Sequence, residues 1–417
     1  MNSKRVLVTF DTAYSLNQYN DGGLIEFQKG KLLDGYFDKL LVVNIASNIN
    51  KKLSARGVIG KCKLVNFTDS TDSIEYLDVP FGRFHFLKKF QRVNFFCSLI
   101  STLLTIINLG KKNNYLFVRG EDPHVNGFLA LVVAKYFKVP SLIGVWGNPD
   151  EIRKDTGLPL FPRLFKFKAI EIIFEKFVLK MANRVLVQNE NNKNFVVNVI
   201  KSDKKIRFFK VSVQLEDIHY SDPTYREKPK NFFNEFDLQS EKKMLCISRL
   251  EEEKRVLDTI KVLSILINQK LVKVDLFICG VGEQEESLKR FAREEGILKY
   301  IHFCGLRSQT WLSTAIPMMD LYVTPISGRA LAEVALGGLA VVTYDRDWQS
   351  EIIEHDVTGY ICKFKDIKAF ADLAFSALQN KEKSIEVGTA LRNYALEAFS
   401  KEKALIIEQG CYEELSN

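Results

Sequence analysis

Histidine is scarce in the 417-residue chain: five copies, at 85, 124, 219, 302 and 355. None has the paired spacing of a zinc site. There is no G-x-S-x-G elbow and no Cys/His pairing, so the usual signs of nucleophilic hydrolysis are missing. The seven cysteines (62, 97, 246, 279, 304, 362 and 411) are odd in number, scattered, and never form C-x-x-C. That excludes a disulfide framework and suits reduced core residues of a cytosolic protein. No long apolar leader precedes the β-run RVLVTF, so no secretory signal is expected. Internal repeats and low-complexity tracts are absent as well.

The chain does contain enough apolar residue for two cores. With 46% hydrophobic and 26% charged residues its composition is that of a globular protein. Its length suits two domains of about 200 residues each. Charge divides unevenly between the halves. Up to Tyr220 there are 33 Lys+Arg against 20 Asp+Glu, and from Ser221 onward 26 against 31. A basic first half suits an anionic surface such as a phospholipid headgroup, a lipid pyrophosphate or an acidic glycan. No nucleic-acid recognition motif accompanies the charge.

Apolar β-branched runs alternate with helical patterns throughout, the signature of parallel α/β units. In the first half these runs are 5–10, 39–45, 115–120, 140–146 and 184–189, closed by 205–213. Residues 222–242 are polar, charged and carry two prolines, which reads as a linker. The second half restarts at 243–248 and continues with 274–280, 300–305, 320–325 and 340–344, with helices such as Val256 to Gln269 and Gln284 to Glu295 between them. Two Rossmann-like domains in tandem, with a cleft between them, is the economical architecture. The uncharged segment 94–110 reads as a buried crossover helix rather than a membrane span. FGRFHFLKKFQR (81–92) and LFPRLFKFK (160–168) interleave aromatics with basic residues, a composition suited to a membrane interface.

Three stretches carry the chemistry. Ser248-Arg249-Leu250-Glu251-Glu252-Glu253-Lys254 follows the first strand of the second half, where open α/β sheets bind ligands. Two cations there suit a diphosphate, Arg249 as a planar fork and Lys254 as a point charge. Cys279-Gly280-Val281-Gly282-Glu283 again runs strand, glycines, helix. Its glycines allow close backbone approach, but the third glycine of a dinucleotide fingerprint is missing. Thr324-Pro325-Ile326-Ser327-Gly328 then leads into a helix whose free amides near Gly328, Arg329 and Ala330 form an anion site. Glu333, one turn in, could accept hydrogen bonds from vicinal hydroxyls of a sugar. Asp345-Arg346-Asp347 is a D-x-D triplet, and it is expected to serve as a loop rather than hold a metal.

The order S-R-L-x-x-x-K, strand-GxG, F-x-G, T-P-x-x-G-R-x-L-x-E-x-A-L-x-G and W-x-S-E-I-I-x-x-x-x-T-G resembles the retaining family-four glycosyltransferases. The resemblance covers the second half and implies a GT-B fold, two Rossmann-like α/β domains with parallel sheets facing across a central cleft. It implies residues 1–221 as an acceptor-binding domain, 222–242 as linker, 243–393 as a nucleotide-sugar domain, and 394–417 as a helix crossing back.

It further implies Arg249 and Lys254 as the catalytic diphosphate clamp. Gly282, Leu306, Gly328, Arg329, Ala330 and Glu333 would lie on the donor side, with Leu306 in the base-recognition turn. Gly22, Gly23, Asp122, Trp146 and Asn148 would lie on the acceptor side. Two positions depart from the pattern. Pro325 stands where the family has the first of its paired acids, and Trp146 where it often has a histidine.

The implied activity is metal-independent, retaining transfer of a hexose from a UDP- or GDP-sugar to a glycan or lipid-linked acceptor. It would serve cell-surface polysaccharide or glycolipid biosynthesis. The donor is a substrate, and no cofactor, metal or nucleic acid is implied. The expected location is cytoplasmic, with peripheral contact at an anionic membrane on the inner face of the plasma membrane. A non-catalytic subunit of the same fold and a nucleotide-sugar epimerase remain as alternatives, and a transferase using Asp345 and Asp347 with a metal would lose activity in chelator.

Overall fold

The computed structural model describes residues 5–12, 16, 25–45, 61–68, 73–80, 82–161, 165–226 and 228–416. The chain forms two units, residues 1–214 with 402–417, and residues 215–401.

The first unit is built on an eight-stranded sheet of β1 (Val6–Phe10), β2 (Lys39–Ile45), β3 (Lys63–Thr68), β4 (Ser73–Val79), β5 (Tyr115–Gly120), β6 (Ser141–Val145), β7 (Arg184–Val187) and β8 (Ile206–Phe208). Their order is β3-β4-β2-β1-β5-β6-β7-β8. Among the described residues of this sheet, only the β3–β4 pairing is antiparallel. Every residue of β1 and β6 is buried, as expected for strands covered on both faces. The crossovers β4 to β5, β5 to β6 and β6 to β7 all progress in one direction along the sheet. Right-handed connection therefore lays their helices Gln91–Gly110, Val125–Phe137 and Lys168–Met181 on one face. There they pack side by side in that order.

The second unit contains β9 (Lys243–Ile247), β10 (Asp275–Cys279), β11 (Ile301–Gly305), β12 (Leu321–Thr324), β13 (Val341–Asp345) and β14 (Tyr360–Lys363). Their order is β11-β10-β9-β12-β13-β14, all parallel. This is the doubly wound arrangement in which the winding reverses between the two central strands, here β9 and β12.

Residues 222–242 do not behave as a free linker. They pack inside the second unit, because three phenylalanines hidden among the charges find partners there. Phe232 lies against Trp311, and Phe233 and Phe236 against Phe277. Asp275 then accepts the backbone N–H groups of Gln239 and Ser240, at 3.0 and 2.7 Å, and its other oxygen stands 2.9 Å from His302 Nε2. At the other end, helix Lys381–Ala398 belongs to the second unit, and the helix that packs in the first unit is Lys401–Ser416. Its Tyr412 is enclosed by Phe37, Phe117 and Phe209, and Arg207 binds Glu414 at 2.8 Å.

The segment 94–110 also departs from expectation. It lies in helix Gln91–Gly110, which is long and apolar enough to cross a membrane by length and composition. It is a crossover helix of the sheet, but it is buried on one side only.

Candidate functional site

The donor-side residues gather at the carboxyl edge of the second sheet. The loop after β9 begins with Ser248, whose N–H donates to Cys279 O, and Leu250, whose N–H donates to Val281 O, both at 3.0 Å. This loop thus runs flush against the one after β10, and the two glycines explain how. A Cβ on Gly280 would stand 1.8 Å from Ser248 O, and one on Gly282 would stand 2.3 Å from Leu250 O. Gly280 also has φ +147. Their lost side chains make room for the neighbouring loop, so Gly282 faces Leu250 backbone.

Arg249 is exposed and pairs with Glu253 at 3.1 Å, a surface contact of little strength. Lys254 ends the 3-10 turn Glu252–Lys254. Burial and the neighbouring positive charge of Arg249 lower its pKa, against a smaller opposing pull from Asp347. Two cations held close in this way favour an anion that would satisfy both.

The loop after β12 is tied down by Tyr322 and Gln349, which sequence reading did not single out, and by Trp348, which opens the W-x-S-E-I-I stretch. The Tyr322 hydroxyl donates to Ile247 O at 3.2 Å and lies 3.1 Å from Ser327 Oγ, joining the exits of β9 and β12. Gln349 Oε1 accepts the Ser327 N–H at 2.8 Å, while its Nε2 donates to Pro325 O and Tyr344 O. Trp348 Nε1 donates to Ser327 O at 3.1 Å.

On this base stand Gly328, around which a Cβ would meet open space, then Arg329 and the helix Ala330–Leu336. Glu333 is 1% exposed, and its Oε1 accepts from Arg329 Nε at 3.2 Å. Pro325, where the resemblance led to the expectation of an acid, leaves its carbonyl to Gln349. Leu306 follows β11 in a half-buried turn that Gly305 opens with φ +67. Asp345 ends β13, and Asp347 follows in the left-handed region at φ 58.

The acceptor-side residues belong to the first unit. Gly22 and Gly23 lie outside the described residues. Asp122 Oδ1 accepts the His124 N–H at 2.8 Å and Oδ2 accepts from Asn126 Nδ2, so this carboxylate shapes the turn after β5. Asn148 caps helix Pro149–Thr156, accepting from the Asp150 and Glu151 N–H groups, and donates to Asn191.

Trp146 is placed differently. Its ring folds back over β6, where a Cβ on Gly144 would meet it at 2.5 Å. Its Nε1 donates to Glu121 Oε2 at 2.7 Å. Trp146, Ile152, Leu160, Phe161, Glu121 and Asp122 are among the residues lining a pocket of about 160 Å³.

Behind Trp146 lies a buried ionic cluster. Glu121 Oε1 is 2.8 Å from Lys31 Nζ and 2.9 Å from Arg119 Nε, and Lys31 is also 2.9 Å from Asp11 Oδ2. Burial disfavours the Glu121 carboxylate, but Arg119 and Lys31 outweigh it and hold its pKa below the ordinary range. Glu408, from the last helix, completes the group. Burial pushes its pKa up to about 8, with Glu121 adding to the rise. The signal in the sequence was Arg119 and Glu121 flanking a strand end, and Lys31 and Glu408 gave none.

The two α/β units with parallel-dominated sheets define the class: this is the GT-B fold of glycosyltransferases. Anabaena HepE in complex with UDP-glucose superposes with a TM-score of 0.69 at 14% identity, over 99% of both chains. Residues 227–394, two fifths of the chain, match the family model of the glycosyl transferases group 1. N-acetyl-alpha-D-glucosaminyl L-malate synthase of Bacillus anthracis is 25% identical over 169 residues, 40% of this chain and less than half, 43%, of that protein. 2-deoxystreptamine N-acetyl-D-glucosaminyltransferase of Niallia circulans is 19% identical over 355 residues, 80% of this chain and 84% of that protein.

Proposed function

We propose that the protein transfers a sugar from a UDP-sugar, with retention of configuration and without a metal ion, to a hydroxyl of a glycan or lipid-linked acceptor in polysaccharide or glycolipid synthesis. The observation that carries the reading is the placing of two cations, Arg249 and Lys254, on the loop at the exit of β9, where burial and then the charge of Arg249 lower the Lys254 pKa. A diphosphate seated there would relieve the repulsion, and more so as it departs with growing charge. UDP is chosen because HepE, of the same fold, is seen with UDP-glucose.

In the proposed step the bond from the anomeric carbon to the diphosphate oxygen breaks. The acceptor oxygen bonds to the same face, and its proton passes to the departing diphosphate. The chain's residues stabilise charge and fix position, and Glu333 takes the vicinal hydroxyls of the ribose.

Thermal shift with UDP, GDP, ADP and CDP, each with and without chelator, tests the donor site. A nucleotide at a hundredfold excess over its Kd should add about 2.7 kcal/mol of stability. The expected result is a UDP-selective, chelator-insensitive shift that Lys254→Ala and Glu333→Ala remove. A GDP-selective shift would change the donor, and no shift with any nucleotide would favour a non-catalytic subunit. Proton NMR of the product's anomeric centre tests retention.

A further inference from the structure

A surface helix normally turns its apolar stripe inward. Helix Gln91–Gly110 buries Phe95 and Ile106 in this way, but it carries a second apolar row on its outer side. Asn94, Ser98 and Thr102, one turn apart, are buried, with Asn94 Oδ1 accepting the backbone N–H groups of Arg83 and Phe84. Phe96, Ile100 and Leu104, at the same spacing, face outward, Phe96 with 63% of its surface exposed.

Two places along the same layer, helix Lys168–Met181 repeats the pattern. Ile170, Ile173 and Phe177 point outward, Ile173 at 69% exposure. Its two carboxylates, Glu171 and Glu175, point inward and bind Arg153 at 3.4 and 3.1 Å. Glu171 also accepts the N–H groups of Leu160 and Phe161. Between the two, helix Val125–Phe137 exposes Lys135 and Tyr136.

Charge on this layer has one sign. None of the three helices carries an exposed acid. Lys88, Lys89 and Arg92 flank the first stripe and Lys168, Lys176 and Lys180 the second, all exposed. Exposed aromatic and aliphatic side chains in rows on two helices of one layer make a surface that a soluble protein seldom leaves uncovered. Apolar stripes on helices whose exposed charges are all cations complement an anionic lipid surface, into which such a face sinks to the headgroup boundary.

We infer that this three-helix layer is a membrane-docking surface that binds anionic bilayers peripherally. Helix Gln91–Gly110 lies flat in it rather than spanning, since its polar face is engaged with the protein. The inference stands on the first unit alone and does not depend on the donor site.

Vesicle flotation with the full chain tests it, using phosphatidylcholine vesicles with and without phosphatidylglycerol. Binding should be at least about tenfold stronger with the anionic lipid and should weaken as salt is raised. The double variants Phe96→Ser/Ile100→Ser and Ile173→Ser/Phe177→Ser should each weaken it by about tenfold, as should Lys176→Glu/Lys180→Glu. Leu271→Ser, an 83% exposed position in the second unit, should leave it unchanged. Melting temperatures of the variants report folding, and nucleotide binding should persist in all of them. Absence of vesicle binding, or binding indifferent to these variants, overturns the inference. So does self-association in sedimentation that Phe96→Ser/Ile100→Ser abolishes while no vesicle binds, which would assign the face to a second copy.

Discussion

Arg329 and Glu333 stand one helical turn apart with guanidinium Nε 3.2 Å from carboxylate Oε1, and the acid is almost fully enclosed. Removing the cation strands a buried charge, which is costly. The side chain of Arg329 keeps 23% exposure, so water would offset part of the loss. Arg329→Ala is expected to destabilise the fold by about 1–2 kcal/mol. Glu333→Gln should cost less, and Arg329→Ala/Glu333→Gln should cost less than the sum of the two. Urea midpoints of the four proteins measure this coupling, and strict additivity would contradict it.

Two glycines of the site should respond in opposite ways to one added methyl. Gly328→Ala meets no neighbour and lies outside the left-handed region, so stability should change by less than about 0.5 kcal/mol. If the ligand's phosphates approach here, donor affinity should nonetheless fall at least about tenfold. Gly282→Ala drives a carbon against the Leu250 carbonyl and should cost about 2 kcal/mol or more. Melting curves with and without nucleotide separate the two effects. A stable Gly282→Ala would show that the loops can part.

Periodicity in the sequence was enough to place most of the strands, because strands covered on both faces read as continuous apolar runs. It missed β3, β4 and β14. Lys63–Thr68 and Ser73–Val79 mix polar with apolar side chains in the antiparallel pair that ends their sheet, and Tyr360–Lys363 is only four residues long. The cations after β9 were legible because a strand end is a position in sequence as much as in space. Tyr322 and Gln349 were not. Each acts through hydrogen bonds to residues brought close only by folding, and neither belongs to a local pattern. The same holds for Lys31 and Glu408, which are 377 positions apart in a single buried cluster. The outward apolar stripe of 91–110 was hidden by composition, since a run without charge does not reveal which side is packed.

Glu408 should make stability pH-dependent. Its folded pKa of about 8 lies above the unfolded value of about 4.3. Between the two, the folded chain holds a proton that the unfolded chain has released, so stability falls as pH rises. The contribution is complete below the unfolded pKa and is lost as pH passes through about 8. Glu408→Gln keeps the shape without the charge. Its Tm should exceed that of the wild type at alkaline pH and converge with it near the unfolded pKa. Parallel curves across that window would mean that Glu408 is already ionised in the fold.

The Tyr322 hydroxyl joins the exits of β9 and β12, bonded to Ile247 O and beside Ser327 Oγ. Tyr322→Phe keeps the packing and deletes only that oxygen, leaving Ile247 O and the buried Ser327 Oγ each short of a partner. The expected loss of stability is about 1–2 kcal/mol. Its effect on function should be selective, because the loops it joins carry Arg249 and Lys254 on one side and Arg329 and Glu333 on the other. If both loops hold the donor, slackening them should raise the donor's KM several-fold while leaving the acceptor's KM unchanged. Steady-state kinetics with each substrate varied in turn reads the difference. Equal changes in both would mean that the hydroxyl supports the unit as a whole and not the donor site.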